Sequence, residues 1–162
     1  ADQPGLPGEV ATVVYGEAML TMQTSEMKRR IVREARRLLK LGGRYAIHEM
    51  CLVGDDLTED RNKEINQALS RTIHVGVRAL SVSEWRGLMQ AEGFEVEVQA
   101  CAPMHLLEPK RLFSDERVKG TLRFIWNIVR DRESRERVLM MRKVFRRYQS
   151  NLAAIMMICV KR

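Results

Sequence analysis

Charged residues stand at the ends of two apolar runs of this chain. Glu17 follows the run 10–15 and a glycine, and His48 and Glu49 lie in a second run, 44–53. A carboxylate can orient an amine or hydroxyl or act as general base, and an imidazole transfers protons near neutral pH. We therefore predict catalytic roles for Glu17 and His48. The alternatives are an ion pair or helix cap for Glu17 and an ordinary hydrogen bond for His48.

The elements that must position these residues alternate between strand and helix. Strands are predicted at 10–15, 44–53, 94–101 and 153–160. Helices are predicted from Thr24 or Ser25 to the Gly42-Gly43 pair, over 59–69, from the Ser81–Glu84 capping box to Gly93, and over 115–130 and 134–149. Alternation of this kind indicates the α/β class, in which ligands bind beyond the carboxyl ends of parallel strands. Since strand side chains alternate, one of His48 and Glu49 must face the core.

The bulk composition favours one globular domain. The chain has 162 residues, of which 45% are hydrophobic and 30% charged. No apolar run approaches the roughly 18 residues that a membrane span needs, so we expect no membrane partner. The three cysteines show no metal-binding spacing, and we predict buried thiols, no metal site and a cytoplasmic location.

The positive charge is concentrated in one segment. Residues 110–150 contain 13 Lys and Arg against 5 Asp and Glu, a balance of +8 within a chain whose net charge is +7. Apolar residues recur there every three or four positions, which favours amphipathic helices with solvated basic faces. The alternative is an acidic partner or a nucleic acid. We do not expect the latter, since no recognition motif accompanies the charge.

Several segments resemble the C-terminal half of class I S-adenosylmethionine-dependent methyltransferases of the type 11 kind. KRRIVREARRLLKLGGRYAIHEM is similar to their helix, glycine turn and fifth strand, and VATVVYGEAML to the fourth strand and its loop. WRGLMQAEGFEVEV resembles the next helix and sixth strand, IMMICVKR the seventh strand, and ADQPGLP the Asp-x-x-x-Leu-Pro loop. The turn departs from the family in carrying Leu41 where proline is usual.

The resemblance implies a partial Rossmann-like sheet, with strands matching 4, 5, 6 and 7 of the family. It makes 1–162 a single domain, with residues 103–150 as a helical insertion that caps the substrate. The glycine-rich loop that holds the cofactor has no counterpart, so strands one to three are expected upstream in a longer parent protein or on another chain. The first strand would then be an open apolar edge, and we predict that the isolated chain forms a homo-oligomer through it or is unstable alone.

The resemblance also implies roles for individual residues. Asp2 would accept a hydrogen bond from the adenine amino group, Leu6 would pack on the adenine and Pro7 would stiffen the turn. The rest of the implied cofactor contacts are Tyr15, Gly16, Glu17 and Leu20. Implied substrate contacts are Met19, Glu49 and His105. For Tyr15, Met19 and Leu20, plain core packing is an equal alternative.

The implied function is methyl transfer from S-adenosylmethionine to a small molecule, with the isolated chain inactive because it lacks the cofactor loop. The alternative is a non-catalytic module that mediates assembly or binds an acidic partner. A nucleic acid methyltransferase is less favoured, because neither an Asn/Asp-Pro-Pro-Tyr/Phe loop nor a Pro-Cys loop follows the first strand.

Overall fold

A computed structural model describes residues 5–104 and 132–162. These residues form strands β1 Ala11–Glu17, β2 Leu39–Leu52, β3 Leu80–Ser81, β4 Phe94–Pro103 and β5 Leu152–Lys161. They also form helices α1 Ser25–Leu38, α2 Glu59–Ile73, α3 Val82–Ala91 and α4 Arg132–Arg147, and a 3-10 turn at Leu20–Met22. The predicted α/β class is confirmed. The predicted helix 115–130 lies outside the described residues.

The sheet has the order β1-β2-β5-β4, with the short β3 pairing beside the end of β2. β1 and β2 are parallel, as the strand–helix–strand pattern predicts, and Glu17 is paired with His48 in their register. β5 runs antiparallel to both of its neighbours. β1 therefore ends beside His48, four residues before β2 ends at Leu52, and the region around the Glu17–His48 pair is called here the rim.

The Gly42-Gly43 pair does not end α1, contrary to the prediction. The helix already ends at Leu38, and the buried Leu39 is extended and paired with Ala11 of β1. The pairing resumes at Arg44, so that residues 40–43 loop out of β2. Gly42 has φ +74°, and a Cβ on Gly43 would lie 2.8 Å from the Lys40 carbonyl oxygen. The glycines thus form this loop-out and not a helix cap.

The two predicted helix starts are confirmed. Thr24 caps α1, its side chain accepting the Met27 amide at 3.2 Å. Ser81 and Glu84 form the capping box of α3: the Ser81 hydroxyl accepts the Glu84 amide, and the Glu84 carboxylate accepts the Ser81 amide. Both caps satisfy amide groups that a helix start leaves without partners.

Each face of the sheet has its own core. One face packs against α1 and α3, and its core includes Leu20, Val32, Tyr45, Ile47, Trp85, Met89, Ile155 and Met157. At the rim end of the other face, α2 and α4 cover a second cluster, which includes Leu52, Ile65, Leu69, Phe145, Tyr148 and Leu152. The predicted amphipathic helix over 134–149 is confirmed as α4, whose apolar side lies on α2.

β1 is an open edge in the described part of the chain, where its pairing partner is β2 alone. Its side chains Val13 and Tyr15 are 60% and 78% exposed. An edge with unpaired backbone groups and apolar side chains is a template for pairing with another strand. The sequence-based prediction of an open first strand is thus confirmed, and the identity of what covers it stays a prediction.

We expect Val13→Lys to weaken self-association of the 162-residue chain, because a charge on an edge strand opposes strand pairing. The measurement is the mass by light scattering after size exclusion, with a dimer expected for the unsubstituted chain. Leu41→Lys is the matched control, since Leu41 is also exposed but lies in the loop-out of β2. A stable, monodisperse monomer of the unsubstituted chain contradicts the prediction.

Candidate functional site

The rim brings the two predicted catalytic side chains together. His48 Nδ1 lies 3.5 Å from Glu17 Oε1, and both side chains are exposed to solvent. Ala18 next to them has φ +50°, and its amide donates to the His48 carbonyl oxygen at 2.9 Å. This bond extends the β1–β2 pairing past the last residue of β1. The carboxylate and imidazole therefore stand on one rung of the sheet and are open to a ligand.

The rim loop, residues 18–22, is held by the Glu49 carboxylate. Oε1 accepts the amides of Met19 and Leu20 at 2.9 and 2.7 Å, and Oε2 accepts the Thr21 amide and hydroxyl at 3.1 and 2.7 Å. Glu49 is only 3% exposed. The predicted contact of Glu49 with a substrate has no support in this geometry, because both oxygens are taken by the protein's own donors. Glu49 instead positions the rim loop.

A buried lysine completes the network beneath the rim loop. Lys28 is 1% exposed, its ammonium donates to the Arg78 carbonyl oxygen, and it lies 5.5 Å from the centre of the Trp85 ring. The Arg78 amide donates in turn to the Thr21 carbonyl oxygen at 2.8 Å. Burial lowers the Lys28 pKa to about 8, although the nearby carboxylates of Glu49 and Glu84 oppose this shift. The rim loop is thus fixed by a charged network inside the fold.

Three further predicted contacts at the rim differ in exposure. Leu20 is fully buried in the core, which favours the core-packing alternative, and its contact with the cofactor stays a prediction. Met19 is partly buried, with its sulfur 3.3 Å from where a Cβ on Gly16 would stand. Gly16 therefore gives the rim loop room to fold back over β1. The Tyr15 side chain points to the face of the sheet opposite to the core that contains Leu20, and it is largely exposed.

The structure places Leu6 and Pro7 away from the rim, and their roles at the adenine stay predictions. The Leu6 carbonyl oxygen accepts a bond from Arg37 at 2.7 Å, and the Glu9 amide donates to the Arg37 carbonyl oxygen. Arg37 is near the end of α1, at the edge of the sheet where β1 begins. At about 3.3 Å per residue, the seven-residue β1 puts roughly 20 Å between this edge and the rim. Asp2 and His105 lie outside the described residues.

Sequence reasoning missed Lys28 and the backbone of Arg78. The sequence does contain a signal for Lys28. This lysine precedes Ile31, Val32 and Ala35 at the spacing of one helical face, and all three are buried in the core between α1 and the sheet. A lysine on an apolar stripe predicts a buried charge that needs partners. Arg78 gave no such signal, because its contacts are made by its amide and carbonyl groups.

The remaining predictions about sites concern cysteines, metals and membranes. Cys51 and Cys159 are buried, but Cys101 is exposed, so its predicted burial is wrong. Burial raises the pKa of Cys51 to about 12 and that of Cys159 to about 11. Among residues 5–104 and 132–162, no three His, Cys, Asp or Glu are grouped to hold a metal ion. No helix in the same residues has the length and apolar character of a membrane span.

Several solved structures have a fold similar to that of this chain. MccD matches 99% of this chain and 64% of its own, with TM-score 0.71 and 15% identity. A putative methyltransferase from Bacillus halodurans C-125 has TM-score 0.63 and 16% identity, over 99% and 74%. Phosphoethanolamine N-methyltransferase 2 of Haemonchus contortus, solved with S-adenosylhomocysteine, has TM-score 0.65 and 14% identity, over 99% and 36%. The chain has a class I methyltransferase fold.

One curated protein is related to this chain in sequence. An uncharacterized protein of Haemophilus influenzae is 35% identical over 133 residues, which are 82% of this chain and 51% of that protein. The chain thus spans about half the length of the curated relative that it matches. No protein-family model matches the chain.

Substituting Glu49 tests its role as the anchor of the rim loop. We expect Glu49→Gln to lower the free energy of unfolding by about 3 kcal/mol, because it puts an amide donor among buried donors. Urea denaturation measures this, and the Met19 to Thr21 amides should exchange faster with solvent. Glu17→Gln is the control and should change stability by less than about 0.5 kcal/mol, since Glu17 is exposed. Equal effects of the two substitutions contradict the anchor role.

The lowered pKa of Lys28 predicts a pH dependence with a definite sign. Its pKa is about 8 when folded against an ordinary value of 10.5, so the unfolded chain binds more protons between these values. The lysine's contribution to stability therefore rises with pH over this range. The unfolding free energy of the unsubstituted chain minus that of Lys28→Met should increase by up to about 3 kcal/mol from pH 7 to 10.5.

The same difference is expected to stay flat for Lys63→Met, because the Lys63 side chain is 61% exposed. The two cysteine pKa values raised by burial affect every variant alike and cancel in the difference. A flat profile for Lys28→Met contradicts the prediction.

Proposed function

We propose that this chain is the C-terminal half of an S-adenosylmethionine-dependent methyltransferase acting on a small molecule. The observation that carries the proposal is the sheet order β1-β2-β5-β4 with its antiparallel β5, within a fold that matches methyltransferases over 99% of the chain. A similar structure was solved with S-adenosylhomocysteine, which supports that cofactor class.

The described residues fit only part of a site for S-adenosylmethionine. Leu20 is core, both oxygens of Glu49 are occupied, and Leu6 and Pro7 lie at the opposite edge of the sheet. Tyr15 remains open beside the rim. The sequence of 162 residues also has no glycine-rich loop of the family's kind. We therefore propose that the cofactor is bound mainly by residues of a longer parent protein or of a second chain.

Glu17 and His48 are proposed to handle the acceptor's proton. A carboxylate and an imidazole 3.5 Å apart can take a proton from an amine or hydroxyl and share it between them. S-adenosylmethionine, when bound, supplies an activated methyl group on a good leaving group. Positioning therefore accounts for much of the rate, and a fixed rim loop serves that need. Glu49 and Lys28 hold this loop from below.

A non-catalytic role is the second candidate. It is favoured by the open β1 edge, where the exposed Val13 and Tyr15 form a surface suited to assembly. In this case the chain would bind a partner strand, and the Glu17–His48 pair would have no catalytic purpose. Location in the cytoplasm is an expectation under either candidate.

Calorimetric titration of the 162-residue chain with S-adenosylhomocysteine tests the proposal. No binding at micromolar concentration is expected from the chain alone, because the described residues fit only the rim. Adding the proposed upstream half as a separate polypeptide should restore micromolar binding. Micromolar binding by the chain alone contradicts the proposal that it lacks most of the cofactor site. Absence of binding with both halves present favours the non-catalytic role.

A further inference from the structure

A polar groove lies between α2 and the extended segment 77–80. Its volume is about 460 Å³, and its walls include the polar side of α2 and the start of α3. The groove has no assigned part in the site described above. Its position and its charges indicate what it binds.

The groove has a rigid floor, because side chains of α2 hold the backbone of segment 77–80. The Asn66 amide oxygen accepts the Ala79 amide at 2.8 Å, and the Asn66 nitrogen donates to the Ala79 carbonyl oxygen at 3.2 Å. The Ser70 hydroxyl accepts the Val77 amide at 2.7 Å. Asn66 thus pairs with Ala79 as a neighbouring strand would. A site with such a floor needs little ordering when a ligand enters.

The carboxylates that line the groove are already engaged. Glu59 is paired with Lys63 at 2.8 Å, and Glu84 accepts two bonds from Ser81, each at 2.7 Å. Neither carboxylate is therefore a free partner for the cationic side chains of the groove.

Two guanidinium groups of the groove remain open. Arg71 and Arg78 line it, both are exposed, and neither is paired with a carboxylate in the part of the chain that the structure describes. Guanidinium groups bind carboxylates and phosphates through two parallel hydrogen bonds. Asn62 also lines the groove, and its amide oxygen is buried without a hydrogen-bond partner among the described residues. The groove thus matches a ligand with an anionic group.

The groove adjoins the rim. The Arg78 amide donates to the rim loop at the Thr21 carbonyl oxygen, and Leu80 pairs with Cys51 near the end of β2. A molecule anchored in the groove can therefore extend toward the edge where Glu17 and His48 lie.

We propose that Arg71 and Arg78 bind a phosphate or carboxylate group of the small molecule on which the protein acts. The proposal rests on the proposed function only in naming that molecule as the methyl acceptor. Binding of the anion itself depends on the groove alone. The methyl acceptor is therefore an anionic small molecule.

Nuclear magnetic resonance of the ¹⁵N-labelled 162-residue chain tests this proposal without any methyl transfer. Inorganic phosphate and acetate are titrated separately at constant ionic strength, and the side-chain Nε–H signals of Arg71 and Arg78 are followed together with the backbone amide signals of segment 77–80, which are present in every variant. Saturable shifts are expected with one or both anions, and the anion that saturates at lower concentration identifies the group. The double variant Arg71→Gln/Arg78→Gln should lower the affinity at least about tenfold, as the loss of charged bidentate contacts predicts.

Arg86→Gln is the matched control, because Arg86 is an exposed arginine of α3 outside the groove, and it should leave the affinity unchanged. The backbone amide spectrum of each variant verifies that it remains folded. The proposal is overturned if neither anion gives a saturable shift, or if the double variant binds as tightly as the control. Failure of the S-adenosylhomocysteine titration with both halves present would contradict the methyltransferase function and leave a bound anion in this groove unaffected.

Discussion

The Glu49 carboxylate is the interaction on which the arrangement of the rim depends. It accepts four hydrogen bonds from three consecutive residues, and it does so in the core, where an unpaired donor would cost more than the bond contributes. The rim loop is therefore tied to β2, and the loop in turn is bonded to segment 77–80 through Thr21. One buried charge thus holds the rim loop, which follows Glu17 on one side and bonds segment 77–80 on the other.

Lys28 makes this buried charge tolerable, though not by direct contact. Its ammonium lies beneath the same loop and bonds the Arg78 carbonyl oxygen, so that positive charge is buried near negative charge. Desolvation outweighs the attraction, as the lowered Lys28 pKa indicates. Here the network fixes one conformation of the rim loop.

Most of the fold could be predicted from local patterns. The run 10–15, the Thr24 cap and the Ser81–Glu84 box each depend on a few adjacent residues, and the structure has them as expected. Alternation along β2 predicted that one of His48 and Glu49 faces the core, but not which one. The burial of Leu20 and the position of Leu6 depend on how the loop and the first residues fold back on the sheet. No local pattern encodes that, and the resemblance to a family assigned both to the cofactor.

The loop-out at residues 40–43 has a consequence for how this sequence can tolerate change. It separates the Leu39–Ala11 pair from the Arg44–Val13 pair, so an extra residue inserted within it leaves the pairing on both sides as it was. The same insertion between Arg44 and His48 would exchange the two faces of the strand, moving the Glu49 carboxylate away from the rim loop and the His48 ring into the core. An inserted residue is therefore tolerated in the loop before Arg44, whereas after Arg44 it disrupts the strand.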